Sequence, residues 1–223
     1  MSFVHLHTHS HYSLLDGMTK IPDLVKAAKE HGMTALALTD HGAMYGAIEF
    51  FKECKKADIK PIVGVEAYVA ARTRHDKDPE QDGRRYHLTL LAKNEVGYKN
   101  LMYMTSIANT EGFYYKPRMD KELFKKHGEG VICLSGCPAS EFITLLKNNH
   151  VDEAKELLAF YEECFGKGNV FIEVMKHDEV DWYIPLIPTI IKVAQETGLP
   201  LVGTWDSHYL HADDVEAHDT QIG

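Results

Sequence analysis

The chain has 223 residues, 44% hydrophobic and 26% charged, which is ordinary for a globular protein and argues against collagen-like or disordered chains. Its 24 basic and 33 acidic residues give a net charge of −9, so general electrostatic attraction to DNA is not expected. No apolar run approaches the ~18 residues of a membrane span, and residues 1–20 lack a signal peptide's basic start and apolar middle, which predicts a cytoplasmic location without a membrane partner.

Short β-branched segments alternate with longer amphipathic segments along the chain. The predicted elements are strand Phe3–His9, helix Ile21–Gly32, strand Ala35–Asp40, helix Ala43–Ala57, strand Lys60–Ala70, loop Arg72–Arg85, strand Tyr86–Ala92, helix Glu95–Thr110, loop Glu111–Asp120, helix Lys121–His127, strand Val131–Ser135, helices Ser140–Asn149 and Val151–Phe165, strand Val170–Met175, helix Val180–Thr197, strand Leu199–Asp206 and helix Asp213–Asp219. This alternation predicts an α/β fold with a parallel sheet. Seven strands favour a closed barrel over a doubly wound open sheet, and the lack of a linker predicts one domain over residues 1–223.

Histidine is abundant, at 14 residues, and four of them fall within residues 5–11. Side chains able to bind metal lie at or near the predicted strands, mostly at their carboxyl ends: His7, His9, Asp16, His41, Glu66, His87, Cys137, Asp206 and His208. Parallel α/β barrels build active sites at that end. The His-x-His and Asp-x-His spacings place two ligands on the same side of an extended segment. This mixture of imidazole, carboxylate and thiolate suits zinc, manganese or iron.

Each of these residues also has a simpler interpretation. A single histidine on a strand is more often a hydrogen-bonded core or surface residue than a ligand, and Cys137 alone would be a buried thiol. Three motifs, His-x-His, Thr-Asp-His-Gly and Asp-x-His, all lie at strand ends, and this combination favours metal binding. Glu66 lies in an apolar segment, where an unpaired carboxylate would be costly. His5 and His11 are expected to lie behind the ligands or at the surface, and His75, His211 and His218 in solvent.

A segment that mixes aromatic and basic residues is a candidate for substrate binding. Tyr114 and Tyr115 precede Lys116 and Arg118, a combination that can stack on a base and hold a phosphate. A solvated loop is the alternative interpretation. His177 follows the sixth predicted strand and is a further candidate for contact with a substrate phosphate.

Several motifs resemble those of the polymerase and histidinol phosphatase (PHP) family. They are His5-Leu-His7-Thr-His9-Ser, Leu38-Thr-Asp40-His41-Gly, Gly64-Val-Glu66-Ala-Tyr and Asp206-Ser-His208-Tyr. Longer runs are similar to the branch of this family found in bacterial replicative DNA polymerases, among them Tyr86-His87-Leu-Thr-Leu-Leu-Ala-Lys-Asn and Glu111-Gly-Phe-Tyr-Tyr-Lys-Pro-Arg118. The resemblance covers essentially the whole chain. His11 and Trp205 depart from the residues common at their positions.

The resemblance implies a distorted seven-stranded (β/α)7 TIM-like barrel of the PHP type with two to three divalent metal ions (zinc, manganese or iron). By analogy, one ion would be held by His7, His9, Glu66 and Asp206. A second would be held by Glu66, His87 and Cys137, and a third by Asp16, His41 and His208.

The function implied is that of a metal-dependent phosphoesterase, acting as a 3′→5′ proofreading exonuclease, with Glu66, Asp206 and His208 as catalytic residues. The implied partners are DNA, as a single strand or a primer 3′ end, the polymerase thumb and a separate proofreading subunit, in the bacterial cytoplasm. The palm, fingers and thumb are absent from this chain, so polymerisation by it alone is not expected. Two alternatives remain: a non-catalytic, metal-stabilised structural module, and a small-molecule phosphomonoesterase of the histidinol-phosphatase type.

Overall fold

A curled mixed β-sheet with helices on its outer face forms the frame of the protein. The computed structural model describes residues 3–176 and 180–222. The strands are β1 Ala35–Leu38, β2 Lys60–Ala70, β3 Arg85–Ala92, β4 Phe113–Tyr114, β5 Lys116–Met119, β6 Val131–Leu134, β7 Val170–Val174 and β8 Leu201–Gly203. The helices are α1 Ile21–Glu30, α2 Ala47–Lys56, α3 Glu95–Thr110, α4 Lys121–His127, α5 Glu141–Lys147, α6 Val151–Phe165, α7 Ile187–Thr197 and α8 Val215–Ile222.

The strand order is β4-β5-β2-β3-β6-β7-β8, and β1 pairs with the first residues of β2. The prediction of a parallel sheet is wrong for β3, which runs antiparallel to both β2 and β6. The physical reason is the connection between β2 and β3, which contains no helix. A parallel neighbour needs a crossover of a dozen or more residues, usually helical, whereas an antiparallel neighbour can follow a simple loop.

The predicted first strand, Phe3–His9, is an irregular extended segment instead of a regular strand. The backbone N–H of Ala37 donates to the carbonyl of His5 at 2.9 Å, and the N–H of His9 donates to the carbonyl of Ser207 at 2.8 Å. Residues 5–9 therefore lie between β1 and the chain that follows β8. With β1, β2, β3, β6, β7 and β8 they form the wall of the barrel. Residues 5–9 take the seventh position in this wall, where backbone hydrogen bonds replace regular strand pairing. The prediction of a distorted TIM-like barrel is confirmed.

A short hairpin lies where a loop was predicted. The predicted loop 111–120 contains β4 and β5, which pair as an antiparallel hairpin.

Prolines explain why one helix is shorter than predicted. The predicted helix Val180–Thr197 becomes a 3-10 turn followed by α7. Pro185 and Pro188 lack backbone N–H donors, and Pro188 therefore fits the first turn of α7. The helix ends at Gly198, whose φ of 72° is unfavourable for other residues.

Two apolar clusters hold the helices against the sheet. The larger includes Leu90, Leu101 and Phe142, each fully buried, and the smaller packs Ile21 and Phe50 beside β1. The outer face of the sheet supplies most of this apolar core, which leaves one end of the barrel interior for polar side chains. Within the described residues, no helix is both long and apolar enough to cross a membrane.

Candidate metal centre

The nine predicted ligands converge at one end of the barrel, which we call the mouth. β1 and β2 run parallel and both lead toward it, and Glu66 lies on β2 beyond the part that pairs with β1. β3 runs the opposite way, so His87, near its start, lies at the same end, with Tyr68 of β2 directly opposite. Cys137 follows β6, and residues 206–208 follow β8.

Glu66 is fully buried and is the centre of the cluster. Its Oε1 lies 3.3 Å from His7 Nε2 and 3.1 Å from His87 Nδ1. Its Oε2 lies 3.4 Å from His9 Nε2 and 2.7 Å from His41 Nδ1. One carboxylate thus faces four imidazoles, an arrangement that suits a ligand shared between metal ions.

Asp206 completes one group of possible ligands with His7, His9 and Glu66. Asp206 Oδ1 lies 3.2 Å from His7 Nε2 and 3.1 Å from His9 Nε2. The φ of Asp206 is +53°, in the left-handed region that costs non-glycine residues free energy. Such strain is characteristic of functional positions, where the surrounding structure compensates for it.

Two further groups lie next to this one. His41, Glu66 and His87 form the second, and the Cys137 thiol donates to Glu66 Oε1 at 3.3 Å. The Cys137 sulfur also lies 3.5 Å from His87 Nδ1.

The third group consists of His9, His41 and His208. Asp16 Oδ2 is 2.7 Å from His41 Nε2 and 3.4 Å from His208 Nε2. The structure therefore brings all nine predicted residues together, in groupings close to those that the resemblance implies.

Unpartnered buried atoms test whether these residues fit metal ions. Nε2 of His7 and His9, Nδ1 of His41, Oε2 of Glu66 and Oδ1 of Asp206 are buried and have no hydrogen-bond partner among the described residues. They lie close together without the geometry of hydrogen bonds. Buried polar atoms normally find such partners, so side-chain nitrogens and oxygens that share one space without bonding fit a common cation.

Glu173 orients His7 from behind the cluster. Its Oε1 accepts from His7 Nδ1–H at 2.8 Å and from the Thr204 hydroxyl at 2.6 Å. Its Oε2 accepts from the Gly136 backbone N–H at 3.1 Å. With the proton held at Nδ1, the His7 Nε2 lone pair faces Glu66 and Asp206, as a ligand requires.

Ser13 and Asp40 perform the corresponding task for His9. His9 Nδ1–H donates to Ser13 Oγ at 2.8 Å, and the Ser13 hydroxyl donates to Asp40 Oδ1 at 3.0 Å. Asp40 also accepts from the backbone N–H of Ser10 at 2.6 Å. The Asp40 of the Thr-Asp-His-Gly motif thus supports a ligand and leaves its neighbour His41 to face the ions.

Without bound metal, the protonation of the histidines depends on the carboxylates beside them. Burial lowers the pKa of His9 to about 3. Burial would also lower the pKa of His41, but Glu66 and Asp16 outweigh it and raise that pKa to about 10. For Glu66, burial is outweighed by His87, His7 and His41, which hold its pKa well below the ordinary value. The negative charge of the buried carboxylates is therefore balanced by positive charge, which either protonated imidazoles or bound metal ions can supply.

The three residues proposed to contact substrate differ in position. Arg118 is fully buried, and its guanidinium donates to the backbone carbonyls of Gly112, Arg74 and Asp76. The structure therefore gives Arg118 a role in holding loops, contrary to the expectation of phosphate contact. Lys116 Nζ lies 5.6 Å from the centre of the Tyr68 ring, close to the mouth. His177 lies outside the described residues.

Tyr68 and His218 also lie at the site, although the sequence prediction gave neither of them a role there. Tyr68 is 6% exposed, and its ring centre lies 5.6 Å from that of His41 and 5.3 Å from that of His87. His218, expected in solvent, places Nε2 3.6 Å from Asp16 Oδ1 because α8 returns to the mouth. The alternation of Glu66 and Tyr68 on one face of β2 was a usable signal for the first, whereas no local pattern indicated the return of α8.

Comparison with known proteins gives a consistent family match. The family model described as PHP domain matches residues 5–177. DNA polymerase III subunit alpha of Treponema pallidum (strain Nichols) is 50% identical over 220 residues, which cover 98% of this chain and 19% of that protein. The subunit of the same name from Borreliella burgdorferi is 45% identical over 218 residues, covering 97% of this chain and 19% of that protein. The chain thus spans about a fifth of the length of these curated relatives.

Solved structures support the fold. A candidate metal-dependent phosphoesterase from Bifidobacterium adolescentis superposes with a TM-score of 0.59 at 13% identity, covering 98% of this chain and 96% of the other. An amidohydrolase from Chromobacterium violaceum with bound sulfate superposes with a TM-score of 0.55 at 16% identity, with the same coverage of each chain. At these identities the likeness concerns the fold alone.

Proposed function

This chain belongs to the PHP domain family, and on that premise we propose that it is a metal-dependent phosphoesterase that hydrolyses DNA phosphodiesters from the 3′ end. The observation that carries the proposal is the set of buried, unpartnered nitrogen and oxygen atoms around Glu66. A structural core has no need for so many polar atoms without partners, since each costs free energy when left unsatisfied.

We assign the nine residues to two or three divalent ions. His7, His9, Glu66 and Asp206 would hold one ion. Glu66, His87 and Cys137 would hold a second, with Glu66 shared between the two. Asp16, His41 and His208 would hold a third. When bound, the ions would supply Lewis-acid activation of a water molecule and neutralise charge on the phosphate.

The residues of the chain supply positioning and proton transfer. Glu173 and Ser13 fix His7 and His9 so that the Nε2 atoms of both rings face the mouth. His208 Nδ1–H donates to the backbone carbonyl of Asp206 at 3.0 Å, which leaves Nε2 facing Asp16 and the mouth. Burial lowers the pKa of His208, but Asp16 and Asp206 raise it above its ordinary value. With two ions bound, when His208 holds no metal, we assign its Nε2–H to protonate the leaving oxygen.

The context of the reaction comes from the relatives, which are named as subunits of DNA polymerase III. We propose that the substrate is single-stranded DNA or the 3′ end of a primer, and that the activity serves proofreading in the bacterial cytoplasm. In a full-length polymerase, the thumb and a separate proofreading subunit would be the protein partners. We propose that residues 1–223 form one domain.

The test combines metal content with hydrolysis. We expect two to three zinc, manganese or iron ions per chain by elemental analysis after purification without chelator, and shortening of a 5′-labelled single-stranded oligonucleotide from its 3′ end. Asp206→Asn should abolish the shortening and keep the circular dichroism spectrum. Asp23→Asn, on the exposed face of α1, is the matched control and should behave as the unaltered chain. Full activity of Asp206→Asn would refute the proposal.

A second candidate function is a metal-stabilised module without hydrolytic activity. The observation that favours it is the irregular closure of the barrel, because residues 5–9 and 206–208 carry ligands but lie outside the regular strands. In that case the bound ions raise the melting temperature of the chain, and no oligonucleotide is shortened under any metal condition. Rapid phosphate release from a small monoester with DNA left intact would instead identify a phosphomonoesterase.

A further inference from the structure

Two cations without carboxylate partners lie beside the metal centre. The Arg85 guanidinium carbon is 5.7 Å from the centre of the Tyr68 ring, and Lys116 Nζ is 5.6 Å from the same centre. Neither side chain has a hydrogen bond or ion pair in the described part of the chain. Two positive side chains gathered at one ring would repel each other unless a negative group joined them.

Two arginines of the neighbouring loop have their charge balanced by carboxylates. Arg72 forms an ion pair with Asp82 at 2.6 Å, and Arg74 lies within 3.1 Å of both Asp120 and Glu122. In a chain with a net charge of −9, carboxylates are abundant. Arg85 and Lys116 have no such carboxylate among the described residues, so the charge of both side chains is available to an anionic ligand.

Strand register connects the two cations to the cluster. Arg85, His87 and Thr89 alternate along β3 and share one face, and His87 and Thr89 on that face reach Glu66 and His7. Arg85 is thus the next member of the row that faces the centre, one step further out. It pairs across the strands with Ala70, whose small side chain leaves the space above Tyr68 open to it.

Tyr68 joins the cation pair to the proposed ligands. Its ring centre lies 5.6 Å from that of His41 and 5.3 Å from that of His87, and both cations lie within 5.7 Å of it. The neutral phenol ring offers the two cations an uncharged aromatic surface.

We propose that Arg85 and Lys116, supported by Tyr68, form a phosphate subsite at the edge of the metal centre. The inference deepens the proposed phosphoesterase function and rests on it for the identity of the ligand. Arginine and lysine are the usual partners of phosphate oxygens. The subsite would hold a backbone phosphate of a nucleic acid next to the one that is cleaved, and so position the strand without itself taking part in the chemistry.

The primary test needs no hydrolysis. Inorganic phosphate is titrated into the chelator-treated chain at low salt and followed by 31P NMR, which detects millimolar affinities. Arg85→Gln and Lys116→Gln should each weaken binding about tenfold, the loss of one charge-assisted contact. Arg84→Gln is the matched control, because Arg84 donates to Thr144 Oγ1 and lies over Tyr86 on the other face of β3. It should change the affinity less than twofold.

A second arm identifies the source of the phosphate. Binding of a fluorescein-labelled single-stranded oligonucleotide to the same metal-free variants is measured by fluorescence anisotropy. Weaker binding of both probes supports a nucleic-acid phosphate, and weaker binding of inorganic phosphate alone supports a free phosphate or monoester. Arg85→Lys, which keeps the charge, should retain most of the affinity and guards against loss by misfolding. The proposal is overturned if the unaltered chain does not bind phosphate, or if the variant that combines Arg85→Gln with Lys116→Gln binds phosphate as tightly as the unaltered chain.

Discussion

Replacing Glu173 with glutamine tests whether the group behind His7 controls the metal centre. The carboxylate is fully buried and accepts on both oxygens. Oε1 accepts from His7 Nδ1–H and Thr204, and Oε2 from the Gly136 backbone N–H and, at 3.4 Å, from the Thr89 hydroxyl. A glutamine of the same shape has one oxygen and one NH2 group, so one of these two positions must change from acceptor to donor.

Each orientation of the glutamine has a distinct cost. If the NH2 group faces Gly136, two N–H donors meet in a buried site, at a cost of about 1–3 kcal/mol. For a chain of this length, that corresponds to a fall in melting temperature of roughly 2–12 °C. If the NH2 group faces His7, the imidazole must move its proton to Nε2, which removes the lone pair directed at Glu66 and Asp206. Loss of such support typically weakens metal binding by about 10–100-fold.

Two measurements check this reasoning. Calorimetric titration gives the affinity for zinc or manganese, and thermal unfolding with a chelator gives the stability of the metal-free chain. Glu173→Gln should lower at least one of them, and Glu156→Gln, on an exposed part of α6, should lower neither. If Glu173→Gln matched the unaltered chain in both, Glu173 would not orient His7, and the assignment of His7 Nε2 as a ligand atom would lose its support.

Four further predictions rest on particular contacts. The pKa of His41 is raised to about 10, so this imidazole must lose a proton before it can bind metal. The apparent metal affinity of its site should therefore rise about tenfold per pH unit between pH 7 and 9, measured by titration in buffered solution. The same raised pKa stabilises the metal-free fold most fully below the ordinary value of 6.5, and this contribution should be lost as the pH rises through about 10 in urea unfolding. Gly97→Ala should destabilise strongly, because a Cβ there would lie 1.7 Å from the carbonyl oxygen of Gly130, while Gly203→Ala, with nothing within 4 Å, should melt near the unaltered chain. Arg118→Met should lower the melting temperature by leaving buried carbonyls unpaired, with no change in KM for an oligonucleotide; a selective rise in KM would return Arg118 to the substrate site.

The candidate ligands could be predicted from the sequence because each belongs to a short local pattern. His7 and His9 alternate along one extended segment, Asp206 and His208 along another, and Glu66 interrupts an apolar strand. Such patterns fix which side chains share a face, whatever the rest of the fold does. Strand ends then meet at one mouth because of the α/β architecture, so the cluster follows from information within each segment.

The residues that support the ligands depend on contacts between distant segments. Glu173 meets His7 across 166 positions of the chain. A carboxylate in an apolar strand indicates that it has a buried partner, but the pattern does not indicate which histidine that partner is. Arg118 shows the opposite failure, since its aromatic and basic neighbours suggest substrate binding while its donors are taken by carbonyls of surrounding loops. The direction in which a long side chain points is set by tertiary structure, and composition does not encode it.

The direction of β3 was in principle accessible. The polar segment 71–84 has no helical periodicity, and a strand that follows such a loop pairs antiparallel far more readily than parallel. The general alternation of strands and helices outweighed this local signal in the prediction. The consequence for the site is small, because an antiparallel β3 brings the start of the strand to the mouth, and His87 lies near that start.

The closure of the barrel links stability to the occupancy of the centre. Residues 5–9 and 206–208 complete the ring without regular pairing, and they carry His7, His9, Asp206 and His208. Burial opposes charge on His7, yet Asp206, Glu66 and Glu173 raise its pKa well above the ordinary value, so the metal-free cluster needs protons to hold these carboxylates together. Metal ions would supply the same positive charge and join the two ends of the chain more firmly. A chain that closes its barrel in this way has reason to keep every ligand even if hydrolysis is lost. The presence of the nine residues therefore supports a cation site, and the loss of oligonucleotide shortening in Asp206→Asn is what separates a catalytic centre from a structural one.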